Sequence, residues 1–316
     1  MDSGNLTDNI DIIAPFHVLR GDNWHAIDLY VQSQPKATLW SVRPPHPEYA
    51  SRYPIHTIRP FQSNTPTAST LLICGTETEI GSWYEHGTAR HVILMLDTLE
   101  SLRVYQTLNR LGKSGKHLSI QYATQALKDM IGLPGEVVTP LFNATRFLAN
   151  TTIPNGQEHA KFKIGRASRD VRIKHHWRDP IFYRRLLDEN MQLEIVGGTC
   201  LLPLMQPADN LHLLPVKPQQ ALANFMRGLN CFFYRTSPSS RGGVDRILFE
   251  AMACGLPIVA EKRDENTALI SNGENGFLFM DEQQALDYIM QLRKDRSLRE
   301  QISNEAMRTM QKIAVQ

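Results

Sequence analysis

One segment of the chain, Gly242–Phe279, constrains its fold more than any other, because turn signals divide it into short elements. A glycine pair precedes a helical pattern, Gly255-Leu-Pro257 ends that pattern, and an apolar run and an Asn272-Gly273 turn follow. A helix between a glycine-rich loop and a strand is the repeating unit of a parallel α/β sheet. The N–H groups at the start of such a helix can bind phosphate. The segment therefore predicts an α/β domain with a phosphate-binding loop.

Short apolar runs alternate with longer amphipathic runs over most of the chain. In the N-terminal half, the runs typical of strands are Asp11–Phe16, Thr70–Cys74, His91–Leu96, Leu118–Gln121 and Glu136–Thr139. In the C-terminal half, they are Lys161–Ile164, Leu193–Val196, Leu211–Leu214, Cys231–Tyr234, Ile258–Ala260 and Gly276–Phe279. Helical patterns lie between them, the first at Trp24–Val31 after a turn at Arg20–Asn23. This order predicts parallel sheets covered by helices.

A polar segment without apolar periodicity, Asn150–Ala160, separates the two halves. We therefore expect an α/β protein of two doubly wound, Rossmann-like domains, residues 1–148 and 158–300, and a C-terminal helix over 301–316 that packs back on the first domain. In doubly wound sheets, ligands bind at the carboxyl ends of the strands, here in the cleft between the domains. The last two helices are expected to open with capping signatures: Asp281-x-x-Gln284 and Ser297-x-x-Glu300.

Composition argues against several kinds of partner and location. The net charge is +2, from 34 basic and 32 acidic residues, which is too small to make a nucleic acid the expected partner. No apolar run approaches the roughly 20 residues of a membrane span. The acidic start of the chain, MDSGNLTDNID, lacks the pattern of a signal peptide. The four cysteines are scattered, as expected for free thiols in a reducing compartment, so we expect a cytoplasmic protein.

The loop Ser237–Gly243 is the first candidate binding element, because it lies between a predicted strand and a helix predicted over Val244–Cys254. Its glycines let the backbone approach a ligand closely, and the helix start at Gly243–Asp245 adds the positive end of the helix dipole. Together these features suit a diphosphate. The alternative is an ordinary turn between a strand and a helix, with glycines that serve packing.

A single carboxylate, Glu250, interrupts the apolar pattern of the same helix. Burying a charge is costly without a partner, and the two hydroxyl groups of a ribose would satisfy a carboxylate. Arg246 lies four residues earlier on the same face of the helix. A surface ion pair between Arg246 and Glu250 is therefore the alternative interpretation.

Two runs closely resemble the donor-binding domain of GT-B retaining glycosyltransferases of the family 4 type: FEAMACGLPIVA at Phe249–Ala260 and NGENGFL at Asn272–Leu278. Ile164–Ser168 and Lys174 look like the Gly-Arg strand end of that family and its downstream lysine. Leu193–Gly197 looks like the family's central strand. The resemblance is strong over residues 158–300 and weak over residues 1–115.

The resemblance implies the GT-B fold and an activity. A sugar would move from a nucleotide-diphosphate sugar, UDP- or GDP-linked, to a hydroxyl group with retention of configuration. The acceptor would be a glycan, a lipid-linked molecule or a protein, in polysaccharide or glycoconjugate biosynthesis. The resemblance also implies that no metal and no further cofactor is required.

The resemblance assigns roles to individual residues. Arg166, with its neighbour Gly165, and Lys174 would hold the donor diphosphate and stabilise the charge that builds on it. Glu250 would bind the ribose. The phosphates would lie against the start of the following helix: Gly242, Gly243, Val244, Asp245 and Arg246. The alternative for Arg166 and Lys174 is a pair of solvated side chains in a basic stretch, in which Arg169 or Arg172 could replace either one.

The chain departs from the family pattern in three places. The family has two glutamates eight positions apart, and Gly242 replaces the first, although Asp245 is near enough to compensate or to cap the helix instead. Only Asp97 matches the family's His-Asp pair, and it either contacts a sugar or caps the helix that follows. Only Gly21 matches a glycine-rich loop of the first domain. These departures leave two alternatives: a catalytically weak nucleotide-sugar-binding partner subunit, or a sugar-nucleotide epimerase on the same fold.

Basic residues are frequent in or near the predicted helices of the first domain: Arg103, Arg110, Lys113, Lys116 and Lys128. A basic helix suits anionic lipid headgroups, which would place the protein peripherally at the inner face of the membrane. The alternative is an ordinary solvated surface.

Overall fold

Two parallel β-sheets organise the chain, one in each of two units, Met1–Leu141 and Phe142–Gln316. The computed structural model describes residues 9–19, 21–97, 101–138, 142–143, 147, 161–240 and 245–314. Neighbouring strands of both sheets run parallel. The predicted fold class, two α/β domains with parallel sheets, is confirmed.

The first unit holds a seven-stranded sheet in the order β3-β2-β1-β4-β5-β6-β7. Its strands are β1 (Ile10–Ile13), β2 (Ala37–Ser41), β3 (Ile55–Thr57), β4 (Thr70–Cys74), β5 (His91–Leu96), β6 (His117–Tyr122) and β7 (Glu136–Val137). Its helices are α1 (Gly21–Gln32), α2 (Pro47–Ala50), α3 (Ser82–Glu85), α4 (Ser101–Gly112) and α5 (Gln125–Ile131). Successive side chains of β4 alternate between two apolar cores, one on each face of the sheet.

The second unit holds a six-stranded sheet in the order β10-β9-β8-β11-β12-β13. Its strands are β8 (Lys163–Ala167), β9 (Gln192–Val196), β10 (Leu211–Leu214), β11 (Cys231–Tyr234), β12 (Ile258–Glu261) and β13 (Phe277–Phe279). Its helices are α6 (Asp179–Asp188), α7 (Gln219–Arg227), α8 (Arg246–Ala253), α9 (Asp264–Thr267), α10 (Glu282–Lys294) and α11 (Arg296–Ala314). Phe232 and Phe233 of β11 belong to different cores, so this sheet is also covered on both faces.

The start of α1 differs from the sequence prediction. The helix begins at Gly21, whereas a turn was predicted over Arg20–Asn23. The Asn23 side chain donates to the carbonyl groups of Pro15 (3.0 Å) and Val18 (2.8 Å). These bonds satisfy two backbone carbonyl groups of the loop that follows β1. The helix begins three residues earlier than its apolar pattern indicates.

One of the two predicted caps is correct. Asp281 accepts the N–H of Gln284 at 2.8 Å, and the Gln284 side chain reaches back to the N–H of Met280 at 2.7 Å. The second prediction is wrong, because α11 begins before Ser297 and Asp295 accepts the N–H of Leu298 at 2.9 Å. Asp295 therefore both ends α10 and caps α11. Across the described residues, we find no helix with the length and apolar character needed to cross a bilayer.

Candidate functional site

The strand order of the second sheet reverses between β8 and β11. The chain moves from β8 towards β9 and β10 on one side, and from β11 towards β12 and β13 on the other. Loops that leave the carboxyl ends of two such strands diverge, and doubly wound sheets bind ligands in the crevice this creates. Arg166 lies near the end of β8, and Tyr234 ends β11. The side chains around these two residues therefore form the candidate site.

Three polar side chains meet at this edge of the sheet: Lys174, Asp245 and Tyr234. Lys174 ends a short 3-10 helix after β8, and its Nζ donates to Asp245 Oδ1 at 2.7 Å. The Tyr234 hydroxyl donates to the other oxygen, Asp245 Oδ2. Asp245 immediately precedes α8, but its side chain accepts no capping hydrogen bond from the helix. The carboxylate thus binds a lysine and a tyrosine: Asp245 stands at the N-cap position of α8, but its side chain does not cap the helix.

The ionisation of these groups follows from their surroundings. Burial disfavours the charged form of Asp245, but the charge and hydrogen bond of Lys174 and the hydrogen bond of Tyr234 outweigh it and lower the pKa of the carboxyl group. Burial raises the pKa of Tyr234 well above its usual value. At neutral pH Asp245 is therefore a carboxylate and Tyr234 a neutral phenol.

Arg166 lies deeper than Lys174, with only 1% of its surface exposed. Its guanidinium contacts Asp179 at 3.3 Å and donates to the backbone carbonyl of Lys174. It also lies 5.3 Å from the centre of the Tyr234 ring. The alternative in which Arg166 and Lys174 are solvated side chains is wrong, because Lys174 is also only 9% exposed.

Asp179, at the start of α6, holds two arginines together. It is fully buried, and its Oδ1 accepts from Arg235 Nε at 2.5 Å while Oδ2 faces Arg166. Arg235 Nη1 extends the network to Glu282 Oε1 at 3.1 Å, and Arg178 binds the same carboxylate through two nitrogens at 2.8 and 2.9 Å. Burying this many charges is costly unless each is paired, so the pairs fix one another's positions.

Glu250 is buried within α8, at 4% exposure. Its Oε1 accepts from Arg246 Nε at 3.2 Å, and the Arg246 guanidinium lies 4.9 Å from the centre of the Phe142 ring. The ion pair that the sequence offered as an alternative to ribose binding therefore exists. It is not at the surface, because both side chains are at least 85% buried.

The remaining predicted positions have varied surroundings. Gly165 lies inside β8, where a Cβ would stand 2.0 Å from Leu229 Cδ1, so a larger residue would force the Leu229 side chain to move. Gly242, Gly243 and Val244 lie outside the described residues. Gly21 opens α1, and Asp97 follows β5 at intermediate exposure; both belong to the first unit.

His175 is a buried residue beside the candidate site that the sequence analysis did not single out. It is 4% exposed, and its Nε2 lies 2.9 Å from the Gly197 carbonyl. Burial and the nearby Arg166 charge lower its pKa to about 4, so the ring is neutral at neutral pH. Because a carbonyl oxygen only accepts, Nε2 is the nitrogen that carries the proton and donates. Gly197 has φ +73°, and a Cβ there would lie 1.9 Å from the Ser168 carbonyl oxygen. The glycine thus permits the close approach of two loops at the site.

Asp179, Tyr234 and Arg235 were not predicted as site residues. Tyr234 ends a predicted strand, Arg235 follows it, and Asp179 precedes a proline, which is common at a helix start, so position in the fold was the signal available. No group of three or more metal-ligating side chains occurs within the described part of the chain.

The comparisons with known proteins agree with this architecture. Residues 182–309 match the family model for glycosyl transferases group 1. No curated protein matched the chain.

Solved structures match nearly the whole chain. HepE from Anabaena, in complex with UDP-glucose, is 14% identical, with a TM-score of 0.72 and 98% of each chain covered. Sucrose-phosphate synthase from Thermosynechococcus elongatus is 12% identical, with a TM-score of 0.67 and coverage of 97% of this chain and 96% of that one. WaaG, a glycosyltransferase involved in lipopolysaccharide biosynthesis, is 10% identical, with a TM-score of 0.65 and coverage of 96% and 95%. The chain therefore has the GT-B fold, and residues 182–309 of its second unit are similar to the glycosyl transferases group 1 family.

Proposed function

We propose that the protein is a glycosyltransferase that moves a sugar from a nucleoside diphosphate to a hydroxyl group of an acceptor. The observation that carries this proposal is the position of Lys174, a nearly buried cation where the strand order of the second sheet reverses. The same unit contains the residues that are similar to the glycosyl transferases group 1 family. HepE was solved with UDP-glucose and also with UDP and glucose, which supports a UDP-sugar as the donor.

In the proposed reaction, the oxygen of the acceptor hydroxyl bonds to the anomeric carbon as the bond from that carbon to the diphosphate breaks. The hydroxyl proton passes to the leaving diphosphate on the same face of the sugar, so the configuration is retained. Lys174 binds the diphosphate and stabilises the negative charge that builds on it. The reaction requires neither a metal nor a further cofactor in this proposal.

Arg166 acts in this proposal by positioning Lys174. Its guanidinium is enclosed by protein groups and donates to the Lys174 carbonyl, so it fixes the backbone from which the lysine extends. Its charge also adds to the positive potential that attracts the diphosphate. Gly165 permits the packing that places Arg166, and Glu250 with Arg246 would bind the ribose.

The remaining assignments of the proposal follow the division of the chain. Residues 158–300 would bind the donor and residues 1–148 the acceptor, with Asp97 and Gly21 near the acceptor. A glycan, a lipid-linked molecule or a protein would be that acceptor, in polysaccharide or glycoconjugate biosynthesis. The donor would be UDP- or GDP-linked and would lie against Gly242, Gly243 and Val244. The protein would act in the cytoplasm, with peripheral contact at the inner face of the membrane.

The substitution Lys174→Met tests the proposal, because methionine keeps the length of the side chain and removes its charge. We expect kcat for donor hydrolysis or transfer to fall about 100- to 1000-fold, the usual loss when one charge-stabilising group is removed from a reaction. Turnover is measured with a panel of UDP-, GDP- and ADP-sugars, and folding is checked by circular dichroism.

Lys163→Met is the matched control. Lys163 begins β8, at the end of the strand opposite to Arg166, and its Nζ lies 3.9 Å from Glu194 Oε1. This variant is expected to keep wild-type turnover. Equal activity of the Lys174→Met and Lys163→Met proteins would remove Lys174 from the mechanism.

A nucleotide-sugar-binding partner subunit is the second candidate function. It is favoured by Gly242, which stands where the resembling family has a glutamate, and by the carboxylate that already holds Lys174. Binding of a nucleotide sugar in calorimetry, without turnover on any donor or acceptor of the panel, would support this candidate over the enzyme.

A further inference from the structure

Asp245 forms an ion pair with Lys174, the residue that binds the donor diphosphate in the proposed function. Lys174 Nζ and Asp245 Oδ1 are 2.7 Å apart, and Tyr234 binds the second carboxylate oxygen. The lysine side chain is 11% exposed and the aspartate side chain 32% exposed, so the pair faces outward on the aspartate side. A diphosphate that reaches Lys174 from solvent must therefore come close to a carboxylate.

The carboxylate is held in place independently of Lys174. Asp245 precedes α8 in an extended conformation and makes no capping bond through its side chain, so helix formation does not explain its charge. The hydroxyl group of Tyr234, at the end of β11, donates to it from within the sheet. The lowered pKa of Asp245 means that the group remains ionised across the neutral range.

Lys174 can bind a phosphate without releasing Asp245. An ammonium group has three N–H donors, so one can stay with the carboxylate while another meets a phosphate oxygen. Tyr234 keeps its bond to Asp245 in this arrangement. The bound ligand would then experience both the attraction of the lysine and the repulsion of the aspartate.

The substrate and the product of the proposed reaction differ in charge. A terminal phosphate loses its second proton near pH 6, so a nucleoside diphosphate carries about three negative charges at pH 8, against about two for a nucleotide sugar. A fixed carboxylate repels the product more strongly than the donor.

We infer that Asp245 is a specificity-determining residue that disfavours the product nucleoside diphosphate relative to the donor nucleotide sugar, and so promotes product release. This inference rests on the proposed function. It gives a role to a carboxylate that otherwise weakens the binding of both ligands.

The test compares dissociation constants of UDP and UDP-glucose for the wild type and for Asp245→Asn, by calorimetry at pH 8. Asparagine keeps the size of the side chain and an oxygen that can accept from Tyr234. We expect the variant to bind UDP roughly tenfold more tightly and to tighten UDP-glucose clearly less, since one unit charge is removed close to the phosphates. At pH 5 the terminal phosphate keeps its proton, so the difference between the two ligands is expected to shrink.

Glu305→Gln is the control for net charge. Glu305 lies on α11, where it pairs with Arg308 at the surface, and its replacement removes the same charge without touching Lys174. The Glu305→Gln protein is expected to have the same dissociation constants for UDP and UDP-glucose as the wild type. Should the asparagine variant fail to fold, Asp245→Ser applies the same test with a smaller neutral group.

The outcomes separate the inference from the function on which it rests. If the asparagine variant binds UDP and UDP-glucose more tightly by the same factor, Asp245 does not distinguish the two ligands and moves away from Lys174 when either one binds. This result overturns the inference. Unchanged affinities overturn it as well. If neither protein binds UDP, UDP-glucose, GDP, GDP-mannose, ADP or ADP-glucose, the proposed function itself fails.

Discussion

Asp11 of the first unit and Asp179 of the second are buried carboxylates close to central strands, and they have different kinds of partner. In the first unit, Asp11 of β1 accepts from the Trp40 indole at 2.8 Å and from the N–H groups of Thr67 and Ala68 at 2.7 and 2.8 Å. These donors are neutral, and they tie β1 to β2 and to the chain that leads into β4. Asp11 therefore acts as a structural fastening of the first sheet.

In the second unit, the buried carboxylate of Asp179 accepts from two arginines, Arg166 and Arg235. Charged partners make such a network sensitive to any further charge that enters it, because the low dielectric of the interior leaves it poorly screened. Asp11 thus has neutral donors, whereas Asp179 has two cationic donors beside the N–H of His176, so the network of the second unit is the more sensitive to an added charge.

The largest expected effect comes from removing the buried carboxylate of the second unit, Asp179. Asp179→Ala leaves Arg166 and Arg235 buried without their shared carboxylate, and we expect the second unit to lose about 3–5 kcal/mol of unfolding free energy. Hydrogen exchange followed by mass spectrometry measures this in peptides from β8 and β11, with peptides from β4 and β5 as an internal reference. A loss below about 1 kcal/mol would show that the arginines find other partners.

The second prediction concerns pH. Because the pKa of His175 is about 4 in the folded protein and 6.5 when unperturbed, the unfolded chain binds more protons between these values. The stabilisation is fully present above pH 6.5 and is lost as the pH falls towards 4, by at most about 3 kcal/mol. Urea unfolding at several pH values measures the slope.

The variant His175→Gln is expected to flatten that slope, since the titrating group is gone. His91→Gln, at an exposed position of β5 in the first unit, is the control and should leave the slope unchanged. A slope that persists in the His175→Gln protein would assign the acid sensitivity to other groups.

The smallest expected effect comes from neutralising the buried carboxylate of the first unit, Asp11. Asp11→Asn keeps an oxygen for some of the neutral donors but removes the charge that strengthens those bonds, so we expect a loss of about 1–2 kcal/mol. Exchange protection should fall in peptides from β1 and β2 and not in those from β8. Nucleotide binding should stay unchanged, and a weaker affinity would contradict a purely structural role for Asp11.

The local pattern of apolar residues was sufficient to predict many of the strands. Thr70–Cys74 and His91–Leu96 are strands with the predicted bounds, because a buried parallel strand is a continuous apolar run. Ala37–Ser41 and Ile55–Thr57 were missed, since they are short and mix polar with apolar residues. Their pairing with the sheet, and not their own pattern, makes them strands.

The candidate site was partly predictable for a related reason. Lys174 and Glu250 stand in local motifs, which a single sequence displays. The contact between Lys174 and Asp245 joins residues 71 positions apart, and local spacing carries no information about such a pair. Arg166 has the same limitation, because its burial depends on Asp179 and Tyr234, which come from two other elements.

The last helix, α11, has a consequence for any shortened form of the chain. Ala306 and Met310 are fully buried and share a core with Ala251 and Met252 of α8, and Ser303 donates to the carbonyl of Gly255 just after α8. A protein truncated near residue 295 would bare the apolar side of α8, the helix that begins beside Asp245. Deleting this C-terminal segment should therefore yield aggregation-prone material with a distorted candidate site, even though Lys174, Asp245 and Tyr234 are all retained.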